Sequence, residues 1–302
     1  ALGIRRFIFK PDALTYPRKE NEVLILKGRA KHAQVESFIV LLLIFILMIS
    51  FILEEGASVA LEAGHPRGAF LGAWFGTIFL GSSELTLKVL ERIGWWVHLV
   101  GVFTFLAIIP QSKHFHIFTG IVNVFLKRFK PYGYLETIDL ENTEVWGATT
   151  VEELNQKNLF DTFACIECGR CQDNCPAYLS GLSLSPKWLI VNTRELLLEE
   201  RKSLLKGEKA QTPLLGNVFT EEALWACTTC GACMEVCPMD IEHIPTILEI
   251  RRAQVLMEGK FPKELNPAFK GLESQANPWG IFSGDRMKWA EDIKVVTVED
   301  NP

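Results

Sequence analysis

Positive charge is not in excess in this chain, cysteine is absent outside two short runs, and histidine is scarce. Its 302 residues include 31 Lys and Arg against 36 Asp and Glu, for a net charge of -5, and only six His. The acidic balance removes the electrostatic case for a nucleic-acid partner. Cysteines gathered into two tight runs do not make a disulfide framework, and nothing else in the sequence points to a secreted, oxidising setting. One long stretch also lacks charge: Phe38 to Leu53 reads FIVLLLIFILMISFIL. With so few histidines, the position of each one is informative.

What is present is concentrated. All eight cysteines fall in Cys165-Ile-Glu-Cys168-Gly-Arg-Cys171-Gln-Asp-Asn-Cys175-Pro176 and Cys227-Thr-Thr-Cys230-Gly-Ala-Cys233-Met-Glu-Val-Cys237-Pro238. This is the spacing with which two-cluster ferredoxins hold [4Fe-4S] cubanes. Two residues between ligands let a tight turn deliver three thiolates to one cube, and the longer gap sends the fourth to the other. The expected ligand groups are therefore Cys165, Cys168, Cys171 and Cys237 for one cluster, and Cys227, Cys230, Cys233 and Cys175 for the second. Structural zinc is the weaker reading, because paired C-x-x-C knuckles give no reason for a third cysteine and a proline in each run. Gly169 and Gly231, each directly after a second cysteine, allow the loop backbone to approach a cube closely.

The uncharged stretch, extended back to Ala33 past the single charge of Glu36, is long enough to cross a bilayer. A second apolar stretch, WWVHLVGVFTFLAIIP from Trp95 to Pro110, reaches the same length with Gln111 and Ser112. The expected spans are about 33–53 and 95–113, with the short glycine-rich segment of 68–87 re-entrant or interfacial. Lys27, Arg29 and Lys31 precede the first span, Glu54 and Glu55 follow it, and Lys113, Lys127, Arg128 and Lys130 follow the last. Basic residues at both outer ends call for an even number of crossings, hence two, with the cysteine-bearing half on the cytoplasmic side. A third crossing would put that half outside, against the placement of Lys and Arg.

His98 lies inside an apolar stretch, where an ionisable group is a functional candidate by default. His98 and His116 are separated by a whole number of turns and about 27 Å, so they share a face, one near each membrane surface, if the helix is continuous; Pro110 would break that. His32 stands at the entrance of the first span, at the depth of His116, and two histidines on facing helices suit a bis-imidazole b-type haem. One haem at His32 and His116 is the expectation, with His98 a candidate ligand of a second. The alternative for His32 and His116 is ordinary interfacial placement. His65, before Pro66, is a poor candidate, and His243 reads as a surface or packing residue.

The expected fold is all-α: transmembrane helices with a b-type haem site, then an α-helical two-[4Fe-4S] ferredoxin domain. The divisions are 1–130 membrane domain, 131–160 linker, 161–260 cluster domain and 261–302 extended linker towards a further domain or partner. Ser185-Pro186 opens an amphipathic helix running to Leu205, a second helix is expected from about Ile244 to Met257, and Pro and Gly punctuate the chain beyond Phe261.

The combination of WWVHLVGVFTFLAIIPQSKHFHI, CIECGRCQDNCPA, LSPKWLI, CTTCGACMEVCPMDIEHIP and NPWG resembles the membrane-bound iron-sulfur oxidoreductases related to heterodisulfide reductase. It is most similar to those of electron transfer flavoprotein:menaquinone oxidoreductase type, and the membrane part is similar to the gamma subunit of respiratory nitrate reductase. The resemblance runs from His32 to about Val295. It implies haem-ligand positions at His98 and His116 on the last helix and at His32 on the facing one, with Leu42 where a second histidine is expected. It also implies CCG domains after the NPWG segment; the chain has none, so a fragment or a separate CCG-domain subunit is expected. The implied function is electron transfer between a cytoplasmic donor, electron transfer flavoprotein, and menaquinone. Lys113, His114 and Ser112 are candidates for handling the quinone's protons. The alternatives are a relay subunit of another respiratory complex and an electron-carrier module whose membrane part only anchors it.

Overall fold

The structure is a computed structural model that describes residues 8–9, 29–62, 70–131, 133–293 and 295, with the side chains of 29–34 outside the description. Helix α1, Arg29–Glu62, and helix α3, Glu84–Ile108, are the longest elements of the first half. Within them and the turn after α3, Val35–Glu62 and Glu84–Gln111 are each 28 residues of apolar helix. At about 1.5 Å per residue this gives about 42 Å, more than a bilayer's hydrocarbon core of about 30 Å. Only 17% of each apolar window is buried within the protein, whereas the core helix of a soluble protein hides its apolar stripe. Phe45, Val100 and Phe103 are among the side chains left facing outward.

Helix α3 begins well before Trp95 because its start is set by a cap. Ser83 accepts the Thr86 N–H, Glu84 occupies the positive end of the helix, and Lys88 pairs with Glu84 at 2.6 Å. Its contact with α1 runs over two buried glycines. A Cβ on Gly94 would come within 2.9 Å of Ser50 O, and one on Gly101 within 2.7 Å of the Leu47 side chain. The short helix α2, Phe70–Gly76, packs back on the far end of α1, with Gly76 against Gly56 O.

After Ile108 the helix does not continue. Pro110 sits in a 3-10 turn, Ile109–Gln111, and Ser112 is extended at φ -119° and ψ 166°. Ser112 then caps a second turn, Lys113–Phe115, ahead of helix α4, His116–Phe125. His98 and His116 therefore lie on different helices, and the shared face expected of one continuous helix does not exist. Proline lacks the N–H that would have continued the ladder.

The second half is a helical unit comprising α5 (Gln156–Ala164), α6 (Arg170–Asp173), α7 (Pro176–Leu179), α8 (Pro186–Leu205), α9 (Glu221–Trp225), α10 (Ala232–Glu235) and α11 (His243–Arg252). Among the described residues the β-pairing is confined to an isolated bridge, Leu215 with Phe219. Helix α8 begins where Ser185 accepts the Trp188 N–H and Pro186 occupies the first turn. Leu189, Leu196, Leu214, Leu224, Ile247 and Ile250 form the core, with Cys175 packed into it. His243 is 1% exposed, so it is a packing residue and not a surface one. Beyond Phe261 the chain is not simply extended, since Asn266–Gln275 forms helix α12 with Pro267 in its first turn. An Asn-Pro pair reads as punctuation, yet proline at this position is pre-set for helix. His65 lies outside the described residues.

Candidate functional site

The two cysteine loops are near copies in conformation. The residue before each second cysteine is left-handed, Glu167 at φ 54° and Thr229 at φ 54°, as are Gly169 at 80° and Gly231 at 83°. One turn of helix follows in each, α6 or α10. This coiling turns backbone N–H groups onto sulfur: Thr229 donates to Cys227 Sγ at 3.4 Å and Ile241 to Cys237 Sγ at 3.5 Å. Cys165 receives such a bond from Glu167, and Cys175 from Tyr178 and Ala177.

The sulfurs assemble across the loops. Cys175 lines one cavity with Cys227, Cys230 and Cys233, floored by Ile244 and Ile247. Cys237 packs in one cluster with Cys165, Trp188 and Ile190, and its charge is felt at Cys165 and Cys171 while Cys168 acts on both Cys171 and Cys237. Cys171 and Cys233 meet at Ile244, so the two groups adjoin. Burial pushes the Cys165 and Cys233 thiols up to about 12 and raises Cys171 further. Eight thiolates gathered here need compensating positive charge, which cluster iron and the N–H bonds would supply. The residues fit clusters.

One group is joined to the apolar helices in two places. At the first, Glu167 lies 2.8 Å from Arg194 Nη2 and 4.0 Å from Lys113 Nζ. Lys113 in turn donates its N–H to Glu36 Oε1 at 2.8 Å and its ammonium to Ser37 Oγ at 2.6 Å. Burial alone would raise the Glu167 carboxyl, but Arg194, Lys113 and Lys187 outweigh it and hold it below the ordinary carboxylate value. Lys187 is itself buried, with its ammonium 4.2 Å from the Trp188 ring centre. At the second place α4 lies on the segment after Cys237. Asn123, fully buried, donates to Asp161 Oδ1 and to Met239 O, each at 2.8 Å, and accepts from Lys157 at 3.1 Å. Thr119 donates to Phe163 O at 2.9 Å. Lys127 pairs with Asp240 at 2.8 Å and Arg128 with Glu242 at 2.6 Å. Gly120 lies directly against the end of the Met239 side chain, which would have to move to admit a Cβ. The other cysteine group carries Cys230, the exposed one of the eight.

The histidines are held in a common way. His98 Nδ1 lies 3.1 Å from Leu47 O and 3.2 Å from Ser50 Oγ, and His116 Nδ1 lies 2.7 Å from Lys113 O. A carbonyl accepts, so Nδ1 carries the proton and Nε2 is left to bond elsewhere, as in metal-ligating imidazoles. His98 is locked where α1 and α3 touch, between Gly94 and Gly101. The side chain of His32, the expected partner of His116, lies outside the described residues. Sequence reasoning missed Glu167, Arg194, Asn123 and Asp161. Asn123 had a local signal, as a lone amide in the apolar run IVNVF.

Two four-sulfur groups lie on a helical scaffold attached to two apolar helices long enough to cross a bilayer. The model of the 4Fe-4S dicluster domain matches residues 161–241. The chain is 34% identical to the "Probable iron-sulfur-binding oxidoreductase FadF" of Bacillus subtilis over 300 residues, 86% of this chain and 43% of that protein. It is 32% identical to the "EtfAB:quinone oxidoreductase" of Syntrophomonas wolfei over 323 residues, 96% of this chain and 43% of that protein. A "Probable membrane-anchored ferredoxin" of Chromohalobacter salexigens is 32% identical over 183 residues, 55% of this chain and 27% of that protein. The chain spans less than half the length of these relatives. No solved structure matches it. The chain is thus similar to iron-sulfur-binding oxidoreductases, and over shorter stretches to heterodisulfide reductase subunits.

Proposed function

We propose that the chain passes electrons between electron transfer flavoprotein and membrane menaquinone through two [4Fe-4S] clusters and a b-type haem. The observation that carries this reading is the attachment of Cys165, Cys168, Cys171 and Cys237 to the ends of the apolar helices, while the exposed Cys230 belongs to the other group. Clusters and haem supply reversible one-electron transfer when bound. Burial aside, the two groups sit in different fields: Glu167 and Asp161 raise Cys165 and Cys237 with Arg194 opposing at Cys165, whereas Arg251 lowers Cys227. His116, with Nδ1 held by Lys113 O, is a haem ligand in this reading, with His32 its proposed partner and His98 a ligand of any second haem. Glu36, Lys113 and His114 stand at the helix end, where a quinone's protons would be exchanged.

In this reading α1 and α3 cross the membrane, α2 is re-entrant or interfacial and the cluster unit is cytoplasmic, which the run of Lys113, Lys127, Arg128 and Lys130 after α3 supports. A CCG-domain segment or subunit would be a further partner. The membrane-anchored ferredoxin relative favours a second reading, an anchored carrier with no haem or quinone chemistry. Dithionite-reduced minus oxidised spectra of the lipid-reconstituted protein separate the two. The first reading expects a b-type haem band that His116→Ala abolishes, and cluster reoxidation on adding a menaquinone analogue. Intact iron and sulfide with neither response leaves the carrier.

A further inference from the structure

Helix α4 has two faces, and the dicluster unit accounts for only one of them. His116, Thr119, Gly120 and Asn123 recur at helical spacing, and Thr119, Gly120 and Asn123 are buried against the segments around Phe163 and Met239. The opposite face is Ile117, Phe118, Ile121, Val122 and Phe125, continued by Phe129. Ile121 is 76% exposed, Phe125 83% and Phe129 91%. A row of large apolar side chains this exposed marks an interaction surface.

We infer that this face of α4 lies in the bilayer surface and that α4 is an interfacial helix seating the dicluster unit on the membrane. The inference rests on the membrane reading of α1 and α3 and adds a third contact to it. Continuity argues for lipid as the occupant. The apolar helix ending at Gln111 is 28 residues long, about 42 Å, which matches a bilayer of about 40–45 Å including headgroups, so its end lies at a surface. Only Ser112 and one short turn separate that end from His116. Ten residues of helix, about 15 Å, then keep the whole of α4 within reach of the same surface. The polar face is already bonded to protein, so the apolar face is the one turned away from it. An amphipathic helix at a headgroup boundary buries that face among acyl chains. Lys130, exposed just beyond the helix, and the cation-π contact it makes with Tyr134 at 4.1 Å suit the headgroup level.

The test is photo-crosslinking of the full chain in phospholipid nanodiscs, with p-benzoylphenylalanine in place of Phe125 and, separately, of Ile121. The same probe replaces Phe45, 62% exposed on α1, and Leu205, 87% exposed at the end of α8. Mass spectrometry should find phospholipid adducts at 125 and 121 within about threefold of the yield at 45, and none at 205. Lipid adducts at 45 but none at 121 and 125, or adducts there only to a second polypeptide, would overturn the interfacial helix and leave the membrane reading intact. Absence of lipid adducts at 45 would overturn the membrane reading itself.

Discussion

Replacing Asn123 by Ala should loosen the joint between the apolar helices and the cluster unit more than its size suggests. The amide is completely buried and makes three bonds, to Asp161, Met239 O and Lys157. Losing the bond to a neutral carbonyl costs about 1 kcal/mol, and the two bonds to charged partners about 1–2 kcal/mol each, because Asp161 cannot turn to water. Asp161 keeps Lys157 at 2.6 Å and the Glu242 N–H at 3.1 Å, which limits the total to about 3–4 kcal/mol. Thr119→Val is the matched control. It removes one bond between segments, to Phe163 O, and should cost about 1 kcal/mol. Thermal loss of cluster absorbance in the anaerobic, lipid-reconstituted protein reads both, at about 4–8 °C per kcal/mol for a unit of about 100 residues. Asn123→Ala should lower the midpoint by about three times as much as Thr119→Val. Equal shifts would mean that the buried amide is not the joint, and the reasoning would fail.

Crossed ligation has its own signature in double variants. Cys175→Ser and Cys227→Ser should each remove the same half of the iron, and the double variant no more than either alone; Cys175→Ser with Cys165→Ser should remove both halves, by iron analysis and electron paramagnetic resonance. Independent loss from Cys175→Ser and Cys227→Ser would show that each run binds its own cluster. Burial lowers His243 from 6.5 to about 4, with the Ile241 backbone opposing. A depressed histidine contributes nothing above pH 6.5, where native and unfolded forms are both neutral; as pH falls towards 4, only the unfolded chain takes the proton and stability is lost. Between pH 7 and pH 5 the wild type should lose about 2 kcal/mol that His243→Leu does not, measured by denaturant titration of the same reconstituted protein. Parallel losses in the two proteins would rule this out.

Local signals were legible in the sequence and distant pairings were not. Cysteine spacing specifies ligands within one loop, and Ser185-Pro186 announces α8, because the chemistry of a turn or a cap acts over a few residues. The early start of α3 was hidden because Glu84, Lys88 and Glu91 look like loop charges until Ser83 is seen to cap them. The break after Ile108 was legible only as a condition: Pro110 warned of it, and the extended Ser112 completed it. The joints to the apolar helices could not be read at all. Lys113 meets Glu36 across 77 positions of sequence, and Asn123 meets Met239 across 116. Nothing in one chain announces such pairs, because they exist only once the helices have been placed.

Those pairs matter because the connection between the two halves has no helix to position them. Between Phe125 and Val151 the described residues form no helix, and most are exposed. The two ends of this connection are nevertheless tied to the cluster unit, by Lys127 with Asp240 and Arg128 with Glu242 at one and by Ala148 N–H on Glu249 O at the other. The unit's place against the apolar helices is set by Thr119, Gly120 and Asn123 on one side and by Glu36, Lys113 and Glu167 on the other. Glu167 is also the left-handed residue inside the first C-x-x-C turn, so the contact that seats the unit also sets the charge beside one cysteine group. A change at the end of α3 therefore acts first on the group holding Cys165, Cys168, Cys171 and Cys237. The group with the exposed Cys230 has no such bond to the helices among the described residues, and it would respond only through its neighbour.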